Sequence, residues 1–138
     1  MNEVVVGMGE ALWDDLPEGR KIGGAPANFA YHVSQFGLPV RVVSAVGDDA
    51  LGHEIVKEFV SKGLKHITET VPYPTGTVQV EIDPAGVPQY VIKENVAWDN
   101  IPYTARLEAL ASHTRAVCFG SLAQRNVVSR STINRFLD

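Results

Sequence analysis

The sequence predicts an α/β fold built on a doubly wound, mostly parallel sheet, and three observations carry that prediction. Val4–Val6, Pro39–Val46 and Ala116–Phe119 are largely apolar, β-branched runs of the kind that parallel strands buried on both faces require. Each is closed by a glycine-bearing turn, at Gly7 and Gly9, at Gly47 and at Gly120, and helical stretches lie between the runs. Only the segment from Thr75 to Ile92 changes period: Val78, Val80 and Ile82 alternate with Thr77, Gln79 and Glu81, Asp83-Pro84-Ala85-Gly86 turns the chain, and Tyr90 and Ile92 resume the alternation. It reads as a hairpin with one apolar face, set outside the main sheet.

Composition bounds the rest. A chain of 138 residues that is 45% apolar and 20% charged suits one globular domain with a real core. The net charge of −4, with scattered basic residues, argues against a nucleic-acid surface, and no apolar run approaches the length of a membrane span. Met1 to Gly7 carries an acidic residue and no basic leader, so no secretory signal is read there. The single cysteine, Cys118, lies in an apolar run, which predicts a buried, inert thiol and a reducing, cytoplasmic setting. His32, His53, His66 and His113 have no paired ligand spacing, so no metal site is read from them.

Taken in order, Gly7-Met8-Gly9 lacks the third glycine of a dinucleotide fingerprint, and Asp14-Asp15-Leu16-Pro17 predicts a turn where that motif needs a helix. At Gly23-Gly24 the backbone is free to take positive φ and to let a ligand come close, Pro26 suits a first helical turn, and Asn28 brings a donor and an acceptor beside unpaired backbone N–H groups. That set fits a polyol, and the plainer alternative is a tight turn into a helix. Gly37 and Pro39 stop the helix. Asp49 is positioned to cap a helix over Ala50 to Ser61, whose Leu51, Ile55 and Phe59 form an apolar stripe. Trp98 reads as a packing anchor, Thr104 as the cap of a helix carrying Leu107 and Leu110, and Ser129 as the start of a last helix with Ile133, Phe136 and Leu137 apolar. Asp14, Asp48 and Gln124 each follow an apolar strand, so all three are expected at the carboxyl ends of a parallel sheet, the rim where open α/β sheets bind ligands.

The run from Gly23 to Gly47 resembles the first signature of the ribokinase-like sugar kinases, the phosphofructokinase B family. Gly23, Gly24 and Asn28 match the glycine pair and asparagine that line the sugar site in that family. Gly9-Glu10-Ala11-Leu12-Trp13-Asp14 is similar to the family's opening Gly-Glu-x-Leu-x-Asp, whose aspartate bonds sugar hydroxyls; a carboxylate suits that task because it accepts two hydroxyl protons at once. A solvated turn carboxylate is the alternative for Asp14. Val46-Gly47-Asp48-Asp49 also looks like the family, with its aspartates read as structural. Lys93 to Ile101 and Gly120 to Arg125 resemble fructokinase-like members, in which the second stretch faces the substrate, so Gln124 and Arg125 become candidates for sugar hydroxyls or a developing phosphate. An ordinary exposed loop is the alternative there.

The resemblance implies a ribokinase-like fold in which the hairpin at about 75–92 is a lid over the sugar, with lids of two subunits pairing into a homodimer. It implies phosphoryl transfer from ATP, with magnesium, to a sugar hydroxyl. Neither the family's Gly-Ala-Gly-Asp, which carries the catalytic base, nor its Asn-x-x-Glu occurs in the 138 residues. The expectation is therefore a truncated chain: residues 1–138 as the N-terminal, sugar-binding part of a fructokinase-like kinase, with no catalytic residue, metal ligand or ATP site of its own and with Ile133 and Phe136 lacking a partner. A small-molecule sugar is the expected partner, with neither nucleic acid nor membrane. Two other readings stand beside it. One is a sugar-binding or regulatory module without catalysis; the other is a different family substrate, with a free Arg125 favouring an acidic sugar.

Overall fold

The computed structural model describes residues 3–138. In chain order its elements are β1 (Val4–Met8), β2 (Leu12–Leu16), β3 (Gly19–Gly23), α1 (Ala25–Ser34), β4 (Val40–Gly47), α2 (Ala50–Ser61), β5 (His66–Val71), β6 (Gly76–Ile82), β7 (Pro88–Ile92), α3 (Ala105–Ala111), β8 (Thr114–Phe119) and α4 (Val127–Leu137), with short 3-10 turns at Ala97–Asn100 and Leu122–Gln124. The apolar runs pair in parallel as a four-stranded sheet in the order β5-β4-β1-β8. Residues alternate between its two faces. Val4, Val6 and Met8 of β1 join Val43, Ala45, Trp98, Leu107, Ile133 and Phe136 in one apolar cluster, whereas Val5 joins Val42, Val46, Ala27, Ala30, Ile55 and Phe59 in the other. Helices α1 and α2 thus cover one face and α3 and α4 the other, the doubly wound arrangement that buried, β-branched strands demand.

The second sheet has the order β3-β2-β6-β7, with β2 and β6 parallel and the other neighbours antiparallel. The period-two segment supplies β6 and β7, while β2 and β3 form a hairpin that the sequence reading had assigned to a turn. Asp14 and Asp15 lie within β2, and the chain turns only at Pro17-Glu18. The polar residues of that hairpin hid it: Asp14 faces Lys21 and Asp15 faces Arg20 across the ladder, so it lacks the apolar alternation that marks a strand. Asp14 is consequently not a sheet-end residue like Asp48 and Gln124; it stands on the second sheet, beside the main one. Strand β5 was also unread, since His66-Ile67-Thr68-Glu69-Thr70-Val71 is half polar, as suits an edge strand.

Three packing expectations are corrected as well. Ile133 and Phe136 are buried in the chain's own core, at 0% and 5% exposure, because α4 packs back onto the main sheet and α3. That helix starts two residues earlier than Ser129, capped by Asn126, whose Oδ1 accepts from Val128 N at 3.0 Å. Ser129 is instead buried, where its hydroxyl donates to Trp98 O and accepts from Ile101 N. Cys118 is half-buried, since β8 is an outer strand of the sheet with Phe119 exposed. Tyr90 and Ile92, on the hairpin read as lying outside the main sheet, are exposed at 64% and 37%.

Candidate functional site

The two sheets meet where β1 runs into β2 and where β3 runs into α1. Gly23 ends β3, and a Cβ there would overlap Asp14 Oδ2, so the absence of a side chain is what lets the Asp14 carboxylate lie over the Gly23 backbone. Gly24 is the N-cap of α1 with φ +111, and a Cβ there would strike the Glu10 carbonyl. Pro26 stands in the first helical turn, where its missing N–H leaves nothing unsatisfied, and Asn28 follows, exposed, its backbone N–H donating to Gly24 O at 3.0 Å. The structure thereby brings Asp14, Gly23, Gly24 and Asn28 into one corner.

Burial raises the pKa of the half-buried Asp14 carboxyl. Glu10, 6% exposed, is a second carboxyl at this corner and was not singled out from the sequence, although the Gly-Glu of the opening motif contained it. Burial pushes its pKa up, against the pull of the Glu10 and Ala25 backbone N–H groups, and its Oε2 has no hydrogen-bond partner among the described residues. Burial, together with the Glu10 charge, also raises the Cys118 thiol, which keeps it unreactive.

Gln124 and Arg125 lie beyond the carboxyl end of β8, on the rim. Gln124 Nε2 donates to Gly120 O at 3.1 Å. The Arg125 fork is engaged: Nε donates to Asp99 Oδ1 and Nη2 to Asp99 Oδ2, both at 2.8 Å, Nη2 also reaches Lys93 O at 2.6 Å, and the guanidinium stacks 4.3 Å from the Trp98 ring centre. The Asp99 hydrogen bonds raise the Arg125 pKa, so the pair is ionic and self-compensating. Nothing local in the sequence marks the pairing of Asp99, 1% exposed, with Arg125; only the fold brings the two together. The cleft beside them, about 290 Å³, is lined by Glu94, Asn95, Asp99, Arg125 and Asn126. A wider cleft of about 770 Å³ lies at the opposite, amino end of the main sheet, lined by Glu3, Arg41, Lys65 and Arg115 among others. Its basic residues sit beside the C-terminal ends of α1 and α2, where cations offset helix dipoles, so it is not favoured as the ligand site.

Asp49, read as a helix cap, does more than that. Its Oδ1 accepts from Gly52 N at 2.8 Å and from Thr75 Oγ1 at 2.6 Å, and its Oδ2 accepts from Thr75 N at 3.0 Å, which ties the start of β6 to α2. Burial alone would raise the Asp49 pKa, but these hydrogen bonds outweigh it and lower the pKa. Trp98 sits beneath the same junction, its indole filling the space that a Cβ on Gly76 would need.

A family model described as pfkB family carbohydrate kinase matches residues 18–130. This chain belongs to that family. It is 28% identical over 117 residues to a sugar kinase of Pyrococcus horikoshii, covering 83% of this chain and 37% of that protein. To the ATP-dependent 6-phosphofructokinase of Thermoanaerobacterium thermosaccharolyticum it is 30% identical over 118 residues, covering 84% of this chain and 36% of that one. The crystal structure of the Pyrococcus sugar kinase superposes with a TM-score of 0.85 at 24% identity, over 97% of this chain and 48% of that one, and its complex with ATP with a TM-score of 0.81 at 26% identity. Fructokinase from Xylella fastidiosa gives 0.83 at 22% identity, over 98% of this chain and 46% of that one, a likeness of fold. The fold of this kinase-family chain is therefore the ribokinase-like one the sequence suggested. The chain spans about a third of the length of the curated relatives it matches and about half of the solved structures. Among the described residues no helix is long and apolar enough to cross a membrane, and no three His, Cys, Asp or Glu gather as a metal site.

Proposed function

We propose that this chain supplies the sugar-holding part of an ATP-dependent carbohydrate kinase of the fructokinase type. The observation that carries the reading is the Asp14 carboxylate laid over the side-chain-free Gly23, next to Gly24 and the start of α1. There Asp14, seated over Gly23 by the missing side chain, accepts two sugar hydroxyls, and Asn28 offers both a donor and an acceptor. The four-stranded second sheet, rooted at this corner, serves as the lid. Its exposed Ile82, Val87, Tyr90 and Ile92 support pairing with a second copy, as a homodimer through the lid. Because Arg125 is paired with Asp99, it is not free to meet an acidic group, which favours a neutral sugar such as fructose over a sugar acid.

ATP and magnesium belong in this reading to the complete enzyme. The residues present do not fit the nucleotide: the space at the glycine pair is filled by Asp14 and by the Glu10 backbone, and two carboxyl groups there repel phosphate. No step is derived through them. A cytoplasmic setting suits a consumer of ATP with a single unpaired cysteine.

Calorimetric titration with fructose tests the reading. The chain binds fructose, Asp14→Asn weakens binding about tenfold to a hundredfold, and neither depends on ATP. Equal binding by both proteins overturns it. A second reading, a sugar-binding module without catalysis, is favoured by the burial of Ile133 and Phe136 in the chain's own core. ADP release that appears once a half carrying Gly-Ala-Gly-Asp is joined to the chain separates the kinase from the module.

A further inference from the structure

Three junctions join the second sheet to the body, the first of them made of two chain crossings. The first, at Ala11-Leu12 and Gly23-Gly24, is packed backbone on backbone, since Gly24 lies against the Glu10 carbonyl and Ala11 Cα. The second is held at Thr75 by Asp49, and Thr75 Oγ1 also accepts from Gly47 N at 2.9 Å. The third, from Ile92 to Val96, differs. Glu94 and Asn95 are exposed, and Asn95 takes φ +53, an uncommon conformation for a residue with a side chain. Before Val96 N reaches Asp99 Oδ2, this passage makes one hydrogen bond to the body among the described residues, from Arg125 Nη2 to Lys93 O.

Arg125 does not need that bond to stay in place. Its two bonds to Asp99 and its stack on Trp98 fix the guanidinium in the body, and Asp99 and Trp98 are each 1% exposed. Strand β7 has no such support: every one of its residues is exposed, and it is paired to β6 alone.

We infer that Arg125 is a latch: anchored by Asp99 and Trp98, it holds the Lys93 carbonyl and so positions the end of β7, which loosens about Glu94-Asn95 when that one bond opens while the other crossings stay packed. Opening leaves the Arg125–Asp99 pair intact, so release of this crossing costs a single hydrogen bond and no buried charge is exposed. Arg125 is then a positioning residue that sets closure over the sugar crevice without touching sugar. Its functional consequence rests on the reading of the second sheet as a lid; the latch itself does not.

Amide hydrogen exchange on the full chain, without sugar, tests it. Arg125→Lys keeps a cation beside Asp99 but loses the fork that spans both acceptors. Exchange at residues 89–95 and at their partners in β6 is expected to quicken about tenfold, with β1 and β4 unchanged. No change at 89–95, or an equal change in β1 and β4, overturns the latch. The wild-type chain provides a test that does not depend on the variant's folding. The β7 amides are expected to exchange through a local opening insensitive to added urea, and exchange of β7 only with global unfolding overturns the proposal. Both measurements stand even if fructose binding fails, so failure of the latch and failure of the sugar reading are told apart.

Discussion

Strands β4 and β7 mark the extremes of this molecule. Seven of the eight residues of β4 are buried between two layers of helices, whereas all five residues of β7 are exposed. The main sheet is held by two apolar clusters, and the second sheet by its root: Asp49 on Thr75, Trp98 under Gly76 and Arg125 on Lys93. The difference shows a division of labour. Burial on both faces makes a rigid body, whereas a sheet with one face largely in water sits at the low-stability end, and the proposed lid and latch draw on that difference.

The comparison is broken most severely at Trp98. Trp98→Ala removes a fully buried side chain shared by the core and the root of the second sheet, and is expected to cost about 3–5 kcal/mol in urea denaturation, with both sheets lost together. Next comes Asp49→Ala, expected to cost about 1–2 kcal/mol by removing the α2 cap and the Thr75 tie. Because the folded pKa of Asp49 is lowered, the stability it contributes is fully present above the ordinary aspartate pKa and is lost as pH falls through the lowered value; Asp49→Asn flattens that acid limb.

Glu10 acts in the opposite sense. Its folded pKa is raised, so the folded state binds the proton more tightly, and stability falls as pH rises from the ordinary glutamate pKa to the raised one. Thermal melts of Glu10→Gln across that window are expected to lose this slope and to gain most over wild type at the alkaline end. The smallest effect is expected at Tyr90: Tyr90→Ala changes stability by no more than about 0.5 kcal/mol, since the side chain is 64% exposed. Sedimentation of the same variant reports whether the second sheet pairs copies, by a shift from dimer toward monomer.

The same contrast decided what was legible in the sequence. Val4–Val6 and Val40–Val46 announce buried parallel strands because both faces need apolar side chains, and Val78 and Val80 announce β6 by alternation. Strands β2 and β3 were missed because their pairing is carried by Asp14, Asp15, Arg20 and Lys21, which read as turn chemistry in isolation. The family signature pointed to Gly23, Gly24 and Asn28, and the fold adds why Gly23 must lack a side chain: Asp14, nine residues earlier, occupies its space. Asp99 and Thr75 had no local pattern to reveal their roles, and Glu10 stood in the opening Gly-Glu with nothing there to mark its burial. Asp99 and Thr75 matter through partners far along the chain, and Glu10 through its burial, with Oε2 unpartnered among the described residues.

Amide exchange of the full chain with and without fructose tests the central claim most directly. The account predicts slow exchange in β1 and β4, fast exchange in β7, and sugar-dependent protection at residues 12–16 and 23–28. Protection that appears instead around Arg41, Lys65 and Arg115, at the other end of the main sheet, would contradict it.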